Sequence, residues 1–397
     1  MKRAEVWLVA AARSPFGKFF GALRDYSAVQ LAAICIDQLL ERTGIEPASV
    51  DALFAGVGMA SAGCFTPARQ AVLGSRLPDS TASLAVDRAC CSGMTAIGLA
   101  YREILAGDAQ LAICGGFESL SRTPLLARRQ RRSRPGDPSS WDPAAGAEDP
   151  LLLKNPVGDQ AIAKYTGEEA LARGVSRAQQ DSWALQSHQR YFAAEMAGLF
   201  VAERFALPEL SVDEGPRGNS SLASLQRSST IYDSPAITAG NAPGLSDGAA
   251  FVALATPDRA QQLGLKPLAR LLDHVSVAGG PTSGSYTPAL AIQRLLSRTR
   301  MQLDDLALFE INEAYAATPL VSTLELAGGD VARAEQLRQR CNIRGGAVAI
   351  GHPLGASGAR ITMSLAQALL ARGGGRGAAA ICGGFGQGDG LLLETVD

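Results

Sequence analysis

The 397-residue sequence contains no CxxC pair and no cluster of cysteine and histidine at zinc-binding spacing, which argues against a metal site. Its seven cysteines fall at irregular intervals and do not read as a disulfide framework. Free thiols imply a reducing compartment. No apolar run is long enough to span a bilayer. The formal net charge is only −1, so nothing global recruits nucleic acid or an anionic membrane. The opening MKRAEVWLVAA has two basic residues and a short apolar run, but Glu5 and Arg13 bracket that run too closely for a signal peptide. A first β-strand explains it better. The closing ETVD carries no peroxisomal address, and the expected location is the cytoplasm.

What is present is a large core: 47% hydrophobic residues and 43 glycines indicate tight packing, and the length suggests two domains or a few fused units. An internal repeat organises the chain. QLLERTGIEPASVDALFAG, from Gln38, is echoed by RLLSRTRMQLDDLALFEIN, from Arg294; LAICGGFES, from Leu111, is echoed by AAICGGFGQ, from Ala379. The second pair follows a Ser-Gly and a helical stretch in each copy, at Ser92–Gly93 and Ser357–Gly358. In the first of these helices Met94, Ile97, Tyr101, Ile104 and Leu105 share one face. The apolar runs at Leu111–Ile113 and Ala380–Ile381 read as strands. Alternating strands and helices predict an α/β fold of duplicated βαβ domains, with layered helices and a mostly parallel sheet, about a pseudo-twofold axis. Residues 121–239 differ in character and read as an inserted loop domain. The expected division is residues 1–120 with 240–270 as the first copy and 271–397 as the second.

Three candidate functional residues sit at equivalent places in the copies. Cys90 precedes Ser92–Gly93, His352 lies just before Ser357–Gly358 in GHPLGASGAR, and Cys382 begins CGGFG at a strand end. A duplicated fold brings equivalent helix starts together at its axis. A thiol at a helix N-terminus is expected to have a lowered pKa. An imidazole nearby can take its proton, and a second thiol can shuttle a proton to or from carbon. The glycines after Cys382 let backbone approach a substrate and aim an N–H at an oxyanion. A lone cysteine is more often a small buried hydrophobe; it is the three together that favour catalysis. Cys91, Cys35, Cys64, Cys114 and Cys341 are read as structural, as are His188 and His274.

CCSGM at Cys90, GNAPGLSDGAA at Gly240, NEAY at Asn312, GHPLGASGAR at Gly351 and CGGFGQG at Cys382 resemble the signature blocks of the thiolase family, in that family's order and over essentially the whole chain. The resemblance implies an acetyl-CoA C-acyltransferase that cleaves a 3-ketoacyl-CoA, or condenses acyl-CoA with acetyl-CoA, through an acyl-Cys90 intermediate. It implies that His352 activates Cys90 and polarises the thioester carbonyl, and that Cys382 exchanges a proton with the α-carbon. Asn312 would hold a water beside the enolate oxygen, and the N–H groups of Cys90 and Gly384 would form a second oxyanion hole. Coenzyme A enters as a substrate, contacted by Val157, Arg217, Ala242 and Pro243; no cofactor is permanently bound, and a homodimer or homotetramer is expected. β-Oxidation or another branch of fatty acid metabolism is the expected setting.

The sequence departs from the family at Asp87 (for Asn), Tyr315 (for Phe in NEAF), Pro243 (for Ser in GNAS) and in VGDQAI at Val157–Ile162, where MGxTAE is usual; Pro156 replaces a frequent His. These changes border the pantetheine and acyl-chain region and shift the expected substrate toward a longer, branched or functionalised chain. The cluster Arg128, Arg129, Arg131, Arg132 and Arg134 is either a solvated loop or a contact to coenzyme A phosphates or a second subunit. Two alternatives stand beside this reading: a non-catalytic acyl-CoA-binding protein on the same fold, and a related condensing enzyme. A β-ketoacyl synthase would carry a second histidine in an HGTGT-like loop, and no such segment exists. An HMG-CoA synthase would lack the second catalytic cysteine in its present context.

Overall fold

A computed structural model describes residues 5–59, 65–125, 149–155 and 158–396. Val157, Cys64 and the arginine cluster at 128–134 therefore lie outside the described residues. The first half of the chain supplies β1 (Trp7–Arg13), β2 (Gly17–Lys18), α1 (Ala28–Thr43), β3 (Ala52–Gly56), α2 (Pro67–Gly74), β4 (Ala82–Val86), α3 (Ser92–Ala106) and β5 (Leu111–Ser119). A middle stretch follows with β6 (Lys154–Asn155), β7 (Gln160–Ala161), α4 (Ile162–Ala172), α5 (Arg177–Met196) and α6 (Leu222–Gln226). The chain then returns as β8 (Ser246–Ala255) and α7 (Pro257–Gln262). The second half runs β9 (Ala269–Ala278), α8 (Thr287–Thr299), β10 (Leu308–Ile311), α9 (Ala317–Leu326), α10 (Val331–Gln339), α11 (Ala347–Ile350), α12 (Leu354–Ala371), β11 (Arg376–Gly383) and β12 (Gln387–Glu394).

The ten-stranded sheet reads β10-β11-β12-β9-β1-β8-β5-β3-β4, with β2 paired to β8. Its two halves mirror one another about β1 and β9, which meet at Trp7 with Arg270 and Leu8 with Ala269. The sheet is mixed, which corrects the expectation of a mostly parallel one. Among the described strands only the pairs β3–β4, β3–β5 and β10–β11 are parallel. The cause is connection length. β11 and β12 are joined by Gly384–Gly386 alone, and so short a link can join only antiparallel neighbours.

Helices α1 and α8 cover the outer faces, each against strands of its own half, while α3 and α12 fill the space between the halves. α1 begins at a capping box, Ser27 with Gln30, and ends at Gly44 in the left-handed region (φ 68°). α12 is buried nearly all round, as a helix apolar on every side should be. Full burial of Ile361, Met363, Leu365 and Leu369 contributes roughly 1.5–3 kcal/mol each as an upper bound.

Two glycines of the repeat let the inner helices touch. A Cβ on Gly93 would lie 2.2 Å from Gly355 O, and one on Gly358 would lie 2.3 Å from Met94 N. The equivalent Ser-Gly pairs thus face one another across the axis, bringing the loops before α3 and α12 together. The middle stretch is tied down by buried charge: Arg13 Nε reaches Glu203 at 2.8 Å and Arg13 NH1 reaches Asp213 at 2.7 Å, all three fully buried. Among the described residues, no helix is long and apolar enough to cross a membrane.

Candidate active site

Cys90 lies in the short loop between β4 and α3, two residues ahead of the helix, after Ala89 in the left-handed region (φ 51°). Ser92 holds this loop: its hydroxyl accepts from Arg88 N at 2.8 Å and donates to Ala89 O at 2.6 Å. Arg88 in turn reaches Asp389, Gln387, Thr95 and Ser276, so the loop is anchored to β12 and β9. Asp389 is further held by Thr95 and lies 3.3 Å from His274 Nε2. Among the described cysteines Cys90 alone is partly exposed; Cys91 is fully buried, its thiol 3.6 Å from Ile381 O.

His352 occupies the equivalent loop before α12. Gly351, with φ 115°, allows the turn, because a Cβ there would meet Ser246 Oγ at 2.4 Å. The same Ser246 Oγ accepts from His352 N at 3.1 Å. His352 Nδ1 lies 2.7 Å from Ser357 Oγ, whose hydroxyl proton is directed to Pro353 O at 2.8 Å. Nδ1 is therefore the donor, and Nε2 carries the lone pair. Nε2 is buried and has no hydrogen-bond partner among the described residues. Burial, reinforced by Arg360, holds the imidazole down at about 3, so it is a neutral base at physiological pH.

The expectation that the helix start lowers the Cys90 pKa is overturned. Burial pushes the thiol up, the neighbouring Cys382 thiol disfavours a second thiolate beside it, and the N–H groups of Cys90 and Gly384 only partly offset the rise. The resting group is a thiol, not a thiolate. Cys382, at the end of β11, is also pushed up, to about 12, by burial and the charge of Glu169, while a hydrogen bond from the Thr318 hydroxyl opposes this. Cys90, Cys382 and Gly384 thus form one cluster.

Two cavities flank it. One of about 770 Å³ is lined by Cys90, Gly384, Phe385, Ile162, Leu354 and Arg88, among others. The second, about 390 Å³, is lined by His352, Tyr315, Arg217, Ala242, Pro243 and Tyr232, among others. Leu152, Leu153, Ile162 and Leu354 form walls of both. Arg217, Ala242 and Pro243 therefore gather on the His352 side, with Tyr315 beside them. Asn312 does not line either cavity; it is fully buried, and its Nδ2 has no hydrogen-bond partner among the described residues.

Several residues that position the site escape sequence reasoning. Glu118 accepts from Gly58 N at 2.8 Å and Gly355 N at 3.0 Å, pinning the start of α12; burial raises it to about 7. Glu313 accepts from Trp183, Ser187, Asn342 and Val348 N, tying the middle stretch to the chain that leads to His352. Tyr165 on α4 is buried near enough to feel both Cys90 and Cys382, and it bonds to Phe385 backbone. Glu118 and Ser357 lie inside the repeated blocks, which is the one signal that could have marked them. His188 accepts from Arg217 N at 3.2 Å and is buried to about 4, in keeping with a structural role.

A duplicated α/β core with two thiols, an imidazole and paired N–H groups at its axis defines an acyl-transfer class of site. Family models for the thiolase N-terminal domain and C-terminal domain match residues 6–258 and 265–395, and the chain belongs to the thiolase family. It is an acyltransferase of that family, acting by reversible thiolytic cleavage and condensation. A probable acetyl-CoA acetyltransferase of Mycolicibacterium smegmatis is 38% identical, over 98% of this chain and 100% of its own length. A beta-ketoadipyl-CoA thiolase of Pseudomonas aeruginosa is 36% identical over 99% of each chain. The crystal structure of human mitochondrial 3-ketoacyl-CoA thiolase superposes with a TM-score of 0.90 at 31% identity, covering both chains completely. A second structure of that human enzyme, in complex with CoA, gives the same TM-score at 32% identity over 99% of this chain and 98% of its own.

Proposed function

We propose that this chain is a 3-ketoacyl-CoA thiolase that uses Cys90 as nucleophile, His352 as base and Cys382 as the proton carrier at carbon. The observation that carries the assignment is the Cys90 thiol on a cavity wall, with the N–H groups of Cys90 and Gly384 turned toward its sulfur. His352 Nε2 takes the thiol proton as sulfur attacks the ketone carbon. Cleavage of the bond between that carbon and the α-carbon leaves the acyl group on Cys90. The electron pair leaves as the enolate of acetyl-CoA, and Cys382 protonates it. Cys382, left as a thiolate, takes the thiol proton of coenzyme A as its sulfur attacks the thioester, and His352 returns its proton to the departing Cys90 sulfur. Donors at an oxyanion supply about 3 kcal/mol each when lost singly. The second half exchanges the Cys90 thioester for a coenzyme A thioester at little cost, and with the carbon–carbon step also reversible the sequence runs in either direction.

Coenzyme A enters as substrate on the His352 side, where Arg217, Ala242 and Pro243 line the cavity. The acyl chain lies on the Cys90 side. A cavity of about 770 Å³ with Met59, Leu152, Leu153 and Ile162 on its wall favours a chain longer, branched or more functionalised than acetoacetyl. Relatives named for acetyl, 3-ketoacyl and beta-ketoadipyl substrates span that range. The enzyme is assigned to the cytoplasm and to fatty acid degradation. It is also assigned as a homodimer or a homotetramer, for which the sheet edge at β4, with Leu84 48% exposed, offers an open strand. Thiolysis rates over a graded series of 3-ketoacyl-CoAs, with Cys90→Ser as control, test the substrate assignment. Fastest turnover on acetoacetyl-CoA would sink it.

A further inference from the structure

We propose that Arg360, braced by Glu310, is a positioning residue for the carbon–carbon step: it holds the oxygen of the Asn312 carboxamide, which leaves the N–H2 as the end that can hold a water beside the enolate oxygen. This rests on the proposed roles of Cys90 and His352 and on the water-holding role that the thiolase resemblance implies for Asn312. Asn312 follows β10, and its backbone N–H is held by Ala380 O at 2.9 Å, so little freedom remains except rotation of the amide. A carboxamide presents nearly the same shape either way round, and only its partners decide which end faces where. Arg360 NH2 lies 3.3 Å from Asn312 Oδ1. A guanidinium has donors and no acceptor. Turning the amide over would set N–H2 against N–H2, leaving donors of both groups unpaired in the interior. The oxygen must therefore face Arg360, and Nδ2 must face the other way. Nδ2 is buried and has no partner among the described residues, as a donor reserved for a bound molecule would be.

Arg360 is itself fixed. It is 1% exposed, and its NH1 lies 3.4 Å from Glu310 Oε2. Glu310 and Asn312 are two residues apart on extended chain, so they share the face that α12 packs against. α12 carries Arg360, and the loop ahead of it carries His352. One guanidinium thus links the strand of the amide to the helix of the base. It also opposes a second positive charge on His352, which helps keep the imidazole neutral before turnover. The other titratable groups about the site are the thiols of Cys90 and Cys382, the Tyr315 phenol and Glu118. Burial raises all of them, and Glu310 as well; Arg217 is a second cation on the His352 cavity, but Arg360 is the charge that holds the imidazole down.

The test compares two reactions of the full-length protein: exchange of acetyl between acetyl-CoA and labelled coenzyme A, and thiolysis of a 3-ketoacyl-CoA. Exchange uses the N–H groups of Cys90 and Gly384 and needs no enolate, whereas thiolysis passes through one. Arg360→Met is expected to lower the thiolysis kcat by ~100-fold with KM within about twofold, and to slow exchange by less than about fivefold. The acidic limb of the kcat profile should move toward neutral pH, because the imidazole is no longer opposed by a cation. Arg360→Lys, also a donor-only cation, should restore thiolysis to within about tenfold. If Arg360→Met does not fold, Arg360→Lys and Glu310→Gln carry the comparison, and each should still slow thiolysis more than exchange. Equal loss in both reactions, or no loss, with the acidic limb unmoved, overturns the proposal. Absence of exchange in the unaltered protein would instead remove the catalytic assignment on which it rests.

Discussion

Replacing Ser357 by alanine isolates the device that decides where His352 carries its lone pair. The Ser357 hydroxyl accepts from Nδ1 at 2.7 Å while donating to Pro353 O, so the lone pair is left on Nε2. Ser357 is 1% exposed and His352 6% exposed, so water cannot simply replace the lost oxygen. An unsatisfied buried N–H costs about 1–3 kcal/mol. The ring can escape that cost by moving its proton to Nε2, which removes the base from the site. Either way the barrier rises by a similar amount, and kcat for thiolysis should fall roughly 5- to 150-fold, since each 1.4 kcal/mol is about tenfold. Substrate binding does not involve this bond, so KM should hold within about twofold. Steady-state thiolysis measures both quantities, and Ser357→Thr, which keeps the hydroxyl, should recover much of the rate. A Ser357→Ala protein of normal stability and undiminished kcat would refute the tautomer argument.

Other consequences follow from the same geometry. Gly358→Ala places a Cβ 2.3 Å from Met94 N, where only backbone could yield; it should destabilise the fold by about 3 kcal/mol or more in chemical denaturation and also lower activity, because α3 and α12 must part. Arg88→Met removes the cation beside Asp389, a fully buried carboxylate, and should cost about 3 kcal/mol, with slower Cys90 alkylation as the loop shifts. The pH dependence of Tm has two arms. Glu118 and Glu310 are raised to about 7 and about 8, so the folded protein holds protons that the unfolded chain has released. Their contribution is complete below about 4.5 and is lost as pH rises through 7 to 8; Glu118→Gln with Glu310→Gln should flatten that decline. His352 and His188 are lowered to about 3 and about 4, so their effect runs the other way and stability falls as pH drops below about 6.5.

The duplication could be read from the sequence because each copy repeats a helix, a Ser-Gly and an apolar strand in the same order. That placed Cys90, His352 and Cys382 at equivalent helix and strand ends, and the structure sets Cys90 and Cys382 in one cluster with His352 on the adjoining cavity. The strand directions were not legible. Whether a strand runs parallel depends on how short its connection is, and the Gly384–Gly386 link looks in sequence like any glycine-rich loop. The sign of the Cys90 shift was also out of reach. A helix start is visible in sequence, but the burial that outweighs it is set by the folded surroundings of the thiol. The same holds for Thr318, Tyr165, Glu310 and Arg360. Each sits in an ordinary helix or strand, and acquires a role only when the fold sets it against a thiol or an amide.

The most direct test of the catalytic assignment is intact mass of the protein after incubation with acetyl-CoA, followed by peptide mapping. A single acetyl group on Cys90, discharged by added coenzyme A and missing in Cys90→Ser, is the predicted result. No adduct on a folded protein across a panel of acyl-CoAs, or an adduct on a different cysteine, would contradict it.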